Sequence, residues 1–148
     1  MSTTPQAIRQ AIETRVSGTT LTDTSTPLSL SLFPHLLFRD SARSPRHMEY
    51  AVGTSTSENI GDRSKPGGTA LVRTNIVVSV AYQMAKHDPD IDPILVLEDD
   101  IRLRVHSQDA SYPATFQIMW KRSDRYALGP PGWIVIEQTF DALHYMSV

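Results

Sequence analysis

No cysteine occurs anywhere in the 148-residue chain. A disulfide framework and a thiolate metal site are therefore both excluded, and the absence fits a protein made in a reducing cytosol. Long apolar runs are missing too: none approaches the ~20 residues that a membrane span needs. The opening MSTTPQAIRQ lacks a basic start followed by an apolar run, so a secretory signal is not expected. Charge of either sign is not in excess; a net of −2 gives no reason to expect nucleic acid as the main partner. The five histidines, His35, His47, His87, His106 and His144, form no HxH or HExxH pair, which argues against zinc. No G-x-S-x-G is present. Internal repeats are absent.

What is there begins with Leu71 to Met84, LVRTNIVVSVAYQM. Val72, Thr74, Ile76, Val78, Val80, Tyr82 and Met84 take one face; Arg73, Asn75, Ser79 and Gln83 take the other. A period of two marks a strand with one buried and one wet face. β-Branched residues suit such a pleated surface. A wet face argues for an antiparallel sheet, because parallel sheets are covered on both sides. This strand is expected at the centre of the sheet.

Around it the chain reads as a single α+β domain over residues 1–148. Thr4-Pro5 is a cap and first-turn pair opening a helix in which Ile8, Ile12 and Val16 repeat, with Gly18 as its stop. Residues 19–31 read as a Thr/Ser-rich loop. Pro34 to Arg39 is an expected short strand, and Arg46 to Ser55 a second. From Thr54 to Thr69 nearly all apolar content disappears, which predicts a long polar loop of the kind that is functional or disordered. Asp92-Pro93 is a helix start. Ile94, Leu97, Ile101 and Val105 recur at helical spacing, with Glu98, Asp99 and Arg102 nearer the other face and Glu98 four residues from Arg102. Thr115 to Lys121 is a strand, Arg122 to Gly132 a hairpin-like connection, and Trp133 to Tyr145 the last strand. The expected order is α-β-β-β-α-β-β, a mainly antiparallel sheet of about four to five strands with both helices on one face.

Asp88, Asp90, Asp92 and Asp99 have the spacing of a calcium loop. Pro93 stands where that loop needs glycine, so a capping turn is the better reading. Glu98, Asp99 and Asp100 are neighbours on a helix and point to different faces, so they do not form a catalytic acid–base pair. Lys65-Pro66-Gly67-Gly68-Thr69 has its lysine ahead of the glycines, unlike a phosphate loop. Charge is uneven along the chain. Residues 39–73 carry six basic and four acidic groups, a net of +2; residues 86–109 carry three basic and seven acidic, a net of −4. On composition alone ordinary surface charge is the first account of such asymmetry; the sharper reading is a head-to-tail contact between copies.

Four features together resemble the tail terminator proteins of long-tailed phages, the minor tail protein U family of lambda-like phages. They are the helix Pro5 to Gly18, the Phe33-Pro34 start of the first strand, the alternating strand that runs through a Pro/Asp turn into an acidic helix (Val72 to Val105), and the aromatic–methionine end of the last strand (Trp133 to Met146). The likeness spans most of the chain and lies in pattern and order. It departs at 54–69 and 122–132. The resemblance implies a small α+β protein without catalytic residues or cofactor. Copies would close as a ring, a hexamer in that family, on the last ring of the tail tube protein. One face would stop tube growth and the other would dock the head-neck connector, with DNA passing through unread. Such a protein is assembled in the host cytoplasm and resides at the virion neck. On this reading Arg46, Arg63 and Lys65 of one copy would meet Asp99 and Asp100 of the next. Another neck or head-completion protein, or a small hydrolase-like enzyme with a site between sheet and helix, are the alternatives.

Overall fold

The alternating stretch does form the centre of a sheet. The computed structural model describes residues 3–17, 31–32, 34, 46–61, 68–84, 90–106, 116–127 and 131–147. Its elements are α1 (Pro5–Ser17), β1 (Ser31–Leu32), β2 (Glu49–Asn59), β3 (Thr69–Gln83), α2 (Asp92–His106), β4 (Phe116–Ala127) and β5 (Trp133–Ser147). The sheet order is β1-β2-β3-β5-β4. Four long strands are antiparallel, and the two-residue β1 pairs parallel with the start of β2. The fold is α+β, and the two helices and four long strands follow in the order α-β-β-α-β-β; the short β1 lies at the end of the stretch read as a loop and is not the strand expected at 34–39. The expected strand at 34–39 lies outside the described residues except for Pro34, as does the Gly18 helix stop.

Both helices cover one face of the sheet. Ile8, Ile12 and Val16 of α1 and Ile94, Leu97, Ile101 and Val105 of α2 meet the even-numbered side chains of β3, which are joined by Ile136, Phe140 and Ala142 of β5. α1 packs on β2, while α2 lies over β4 and β5. Each helix is narrowly apolar, so packing against the sheet rather than intrinsic propensity holds it. Thr4 caps α1 as expected: its Oγ1 accepts the Ala7 N–H at 3.2 Å. At α2 the cap differs from expectation. The Asp90 side chain, not that of Asp92, accepts a backbone N–H, that of Asp92 at 3.0 Å. The proline at 93 still falls in the first turn. An Asp-x-Asp pair offers two candidate caps, and the one outside the helix is free to bend back.

Three further expectations are corrected. The polar stretch 54–69 is not one long loop: residues 54–59 continue β2 and Thr69 already belongs to β3. Ser and Thr tolerate extended backbone, and an exposed strand end needs no apolar face. Residues 122–127 likewise continue β4 rather than starting the connection. Finally, the far face of β3 is not uniformly wet. Ala51, Ala81 and Val135 form a second small buried cluster there, with Trp133 against it. The alternation in sequence marks the helix-covered face but says nothing of what small side chains do on the other.

Candidate interaction surface

The α2–β4 side of the molecule is built from one helical stripe and one edge strand. Leu95, Glu98 and Arg102 are spaced three and four apart and so share a face. Glu98 is buried, against expectation, and its partner is Arg125 of β4 rather than Arg102. The Arg125 Nε and Nη2 donate to the two carboxylate oxygens at 2.6 and 2.8 Å. The hydrogen bond to Glu98 pushes the Arg125 guanidinium up, burial opposes it, and the carboxylate charge adds to the rise. Arg102 instead bonds Asp99 at 2.7 Å and lies 5.5 Å over the Trp120 ring. The Trp120 Nε1 donates to the Gln138 Oε1 at 2.8 Å, and the Gln138 amide donates to the Ser123 Oγ at 3.0 Å. A register shift between Trp120 and Arg122 makes this arrangement possible. One extra residue turns Ser123 and Arg125 toward the helix side, where they reach Gln138 and Glu98.

This side also concentrates exposed apolar surface. Of the nine exposed large hydrophobic side chains among the described residues, six lie on α2, on the residue before it or on β4: Ile91, Leu95, Leu103, Met119, Trp120 and Tyr126. They do not share one face: Trp120 pairs with Phe140 on the helix-covered face, while Met119 and Tyr126 pair with Asp141 and Val135 on the other.

The opposite edge is concave. Arg46 to Glu49 form a turn closed by the Glu49 N–H to the Arg46 carbonyl at 3.2 Å, and the Glu49 side chain accepts the Arg46 N–H. Beyond it, β1 covers only the first two residues of β2. A cleft of about 690 Å³ runs from that edge across the sheet, with Arg9 and Glu13 of α1 on one wall, Leu32 and Pro34 on another, and Val52 to Ser55, Val77, Ser79 and Glu137 along its floor. Arg9 pairs with Glu13 and also donates to the Val52 carbonyl at 3.3 Å. The carbonyl of Val52 therefore points away from β3, as alternate groups of an edge strand must. Nearby, burial and then the Glu13 charge push the Tyr50 phenol up.

A hydroxyl–imidazole pair, unnoticed in the sequence, lies between these edges. The Thr74 Oγ1 is 2.8 Å from the His144 Nε2, and the other ring nitrogen is 2.8 Å from the Thr3 carbonyl. Ser57 hydrogen-bonds the same threonine at 2.8 Å. The geometry resembles a nucleophile and its base. Both Thr74 and His144 are buried, however, so the chain of bonds serves to pin residue 3 against β5, where the Thr3 N–H also reaches the Tyr145 carbonyl at 2.7 Å. A lone threonine within the apolar set of β3 was the available signal. Among the described residues no group of three or more His, Asp or Glu is placed to hold a metal, and no helix is long and apolar enough to cross a membrane.

The structure places Arg46 just before β2 and Asp99 and Asp100 on α2, which packs over β4 and β5 and against α1, with Asp100 one turn from Arg104, which bonds Arg15 of α1; Arg63 and Lys65 lie outside the described residues. Asp99 is more than half exposed despite its bond to Arg102. No protein-family model and no curated protein matches the chain.

Proposed function

We propose that this chain is a structural virion protein. Its copies form a ring that caps a phage tail tube, ends tube growth and offers a docking surface to the head-neck complex. The observation that carries the reading is the two-sidedness of the subunit: the acidic residues of α2 with exposed Leu95, Leu103 and Trp120 on one side, the exposed Arg46 and a cleft on the other. That arrangement suits head-to-tail association, in which each copy uses a different surface for each neighbour. The sequence pattern that resembles the tail terminator family supports it. The output is shape rather than bond-making: one ring face matches the last tube ring, the other the connector. Arg46, with Arg63 and Lys65, meets Asp99 and Asp100 of the adjacent copy.

The test reverses the acidic side. The double change Asp99→Lys and Asp100→Lys is expected to leave the far-ultraviolet circular dichroism of the subunit intact and to abolish the ring measured by light scattering. An undiminished ring would remove this ion-pair contact. Purified tail tubes should be capped at one end by the wild-type protein under the electron microscope; tubes left bare at every concentration would remove the function.

A further inference from the structure

We infer that Thr74, His144 and Thr3 form an acid-sensitive latch, which holds the N-terminal segment on β5 at neutral pH and lets it go when the His144 imidazole takes up a proton. The latch does not rest on the ring reading. Its ring is 1% exposed and Thr74 is fully buried. The Thr3 carbonyl can only accept, so Nδ1, 2.8 Å away, carries a hydrogen. In the neutral ring Nε2 is then the acceptor, and the Thr74 hydroxyl donates to it at 2.8 Å. The Ser57 hydroxyl, 2.8 Å from Thr74 Oγ1, donates in turn. With the Thr3 N–H on the Tyr145 carbonyl at 2.7 Å, residue 3 is held to β5 at both its backbone groups.

A second proton on the ring can still find a hydrogen bond. The hydroxyl chain turns round, with Nε2 donating to Thr74 and Thr74 to Ser57. What the ring lacks is a counter-charge. Its partners in register are Val72 of β3 and Phe116 of β4, neither ionisable. Arg73, Glu58 and Asp141 stand at odd steps from it and point to the other face of the sheet. On α2, Glu98 and Asp99 are taken by Arg125 and Arg102, and the last turn offers only Arg104 and His106. Among the described residues no acid, Asp100 included, bonds the ring. α1 starts at Pro5, just beyond Thr3, with no acid in its first turn, so the positive end of a helix dipole lies beside His144. A buried cation in such a place is costly, and acid favours the conformation that returns the ring to water. Opening takes up one proton, so its equilibrium constant gains up to about tenfold for each unit of pH lost. Ile8, Ile12 and Val16 keep α1 docked without the two bonds of residue 3.

The cysteine-free chain makes the test direct. Thr3→Cys is a unique probe at a buried position. Its labelling by dithiodipyridine, which reacts with thiols in acid as well as at neutral pH, is compared with that of the same variant unfolded in urea at each pH. Protection is expected to fall about tenfold or more between about pH 7 and about pH 5, with the far-ultraviolet circular dichroism unchanged. His144→Asn, added to this background, keeps an amide donor near the Nδ1 position and does not titrate. Its protection is expected to be the same at both pH values; His47 titrates in both variants and cancels in the comparison. Protection of Thr3→Cys that ignores pH, or that falls as steeply with His144→Asn, overturns the inference. So does protection lost only where the circular dichroism is lost with it. Should His144→Asn fail to fold, nuclear magnetic resonance of the wild type decides. The His144 ring nitrogens are expected to titrate over the same pH range in which the Thr3 N–H loses its protection from hydrogen exchange, and separate ranges overturn the latch.

Discussion

Met48 is the residue where backbone and side chain disagree. Its φ is 64°, in the left-handed region that glycine or asparagine would fill, yet its side chain is buried in the main core. The left-handed conformation costs a non-glycine residue about 1–2 kcal/mol. Removing a buried methionine side chain costs about 2–5 kcal/mol. Packing wins, so Met48→Gly is expected to destabilise the fold by about 1–3 kcal/mol in urea unfolding, despite relieving the backbone. A neutral or stabilising change would mean that the strain outweighs the contact. His47, beside it, sets a pH response. Its Nδ1 accepts the Gln83 N–H at 3.0 Å, and its ring packs edge-on against Tyr82 at 4.8 Å. Desolvation lowers its pKa below the ordinary 6.5. The unfolded chain therefore takes up this proton first as the pH falls. Stability from this residue is complete above 6.5 and is lost as the pH drops from there through the folded value. His47→Asn keeps an acceptor and does not titrate. Between about pH 7 and about pH 5 the wild type should lose more stability than this variant, measured as the difference in unfolding midpoints. Parallel pH profiles would leave His47 without that role.

At the scale of elements, Glu98–Arg125 fastens α2 to the bulged half of β4. Glu98 is buried and Arg125 is well exposed, so the two halves of the pair are not equivalent. Deleting the arginine strands a desolvated carboxylate, whereas deleting both partners strands nothing. Arg125→Met is therefore expected to cost about 1–3 kcal/mol, and adding Glu98→Leu should recover most of that loss in thermal unfolding. A double variant less stable than the single one would show the pair to be worth more than its desolvation. The sequence located the helix that carries Glu98 but not the partner of Glu98. Spacing of three and four residues reveals neighbours on one helix, and Arg102 is such a neighbour. Arg125 becomes a neighbour only through sheet order and a one-residue register shift, neither of which leaves a local pattern. The same limit explains β2 and β4. Apolar alternation marked the strands where the helices cover them and fell silent at 54–59 and 122–127, where backbone pairing with β3 and β5 holds exposed polar residues extended. Central β3 was legible from Leu71 to Gln83, though not at Thr69 and Ala70, because one row of its side chains meets both helices. Thr74 stood in that row unremarked, since its partner His144 lies 70 residues away.

For the whole molecule, the proposed contact joins two kinds of force that salt separates. Exposed charges such as Asp99 and Arg46 interact through water, and raising the ionic strength from about 0.1 M to about 1 M shortens their reach from about 10 Å to about 3 Å. Burial of exposed apolar side chains such as Leu95 and Trp120 would not be screened, because burial of hydrocarbon does not depend on counter-ions. Sodium chloride is therefore expected to slow association and raise the subunit concentration needed for half assembly without dissolving the ring outright. Leu95→Glu and the Asp99→Lys, Asp100→Lys double variant should then part company. The first keeps its acidic side and remains salt-sensitive at a weaker baseline. The second places cations on both surfaces, so added salt should help it assemble instead of hindering it. Sedimentation velocity across a salt series reads both slopes. A wild-type ring indifferent to salt would leave apolar burial as the sole contact, and a common slope for the two variants would show that Asp99 and Asp100 face away from the neighbouring copy.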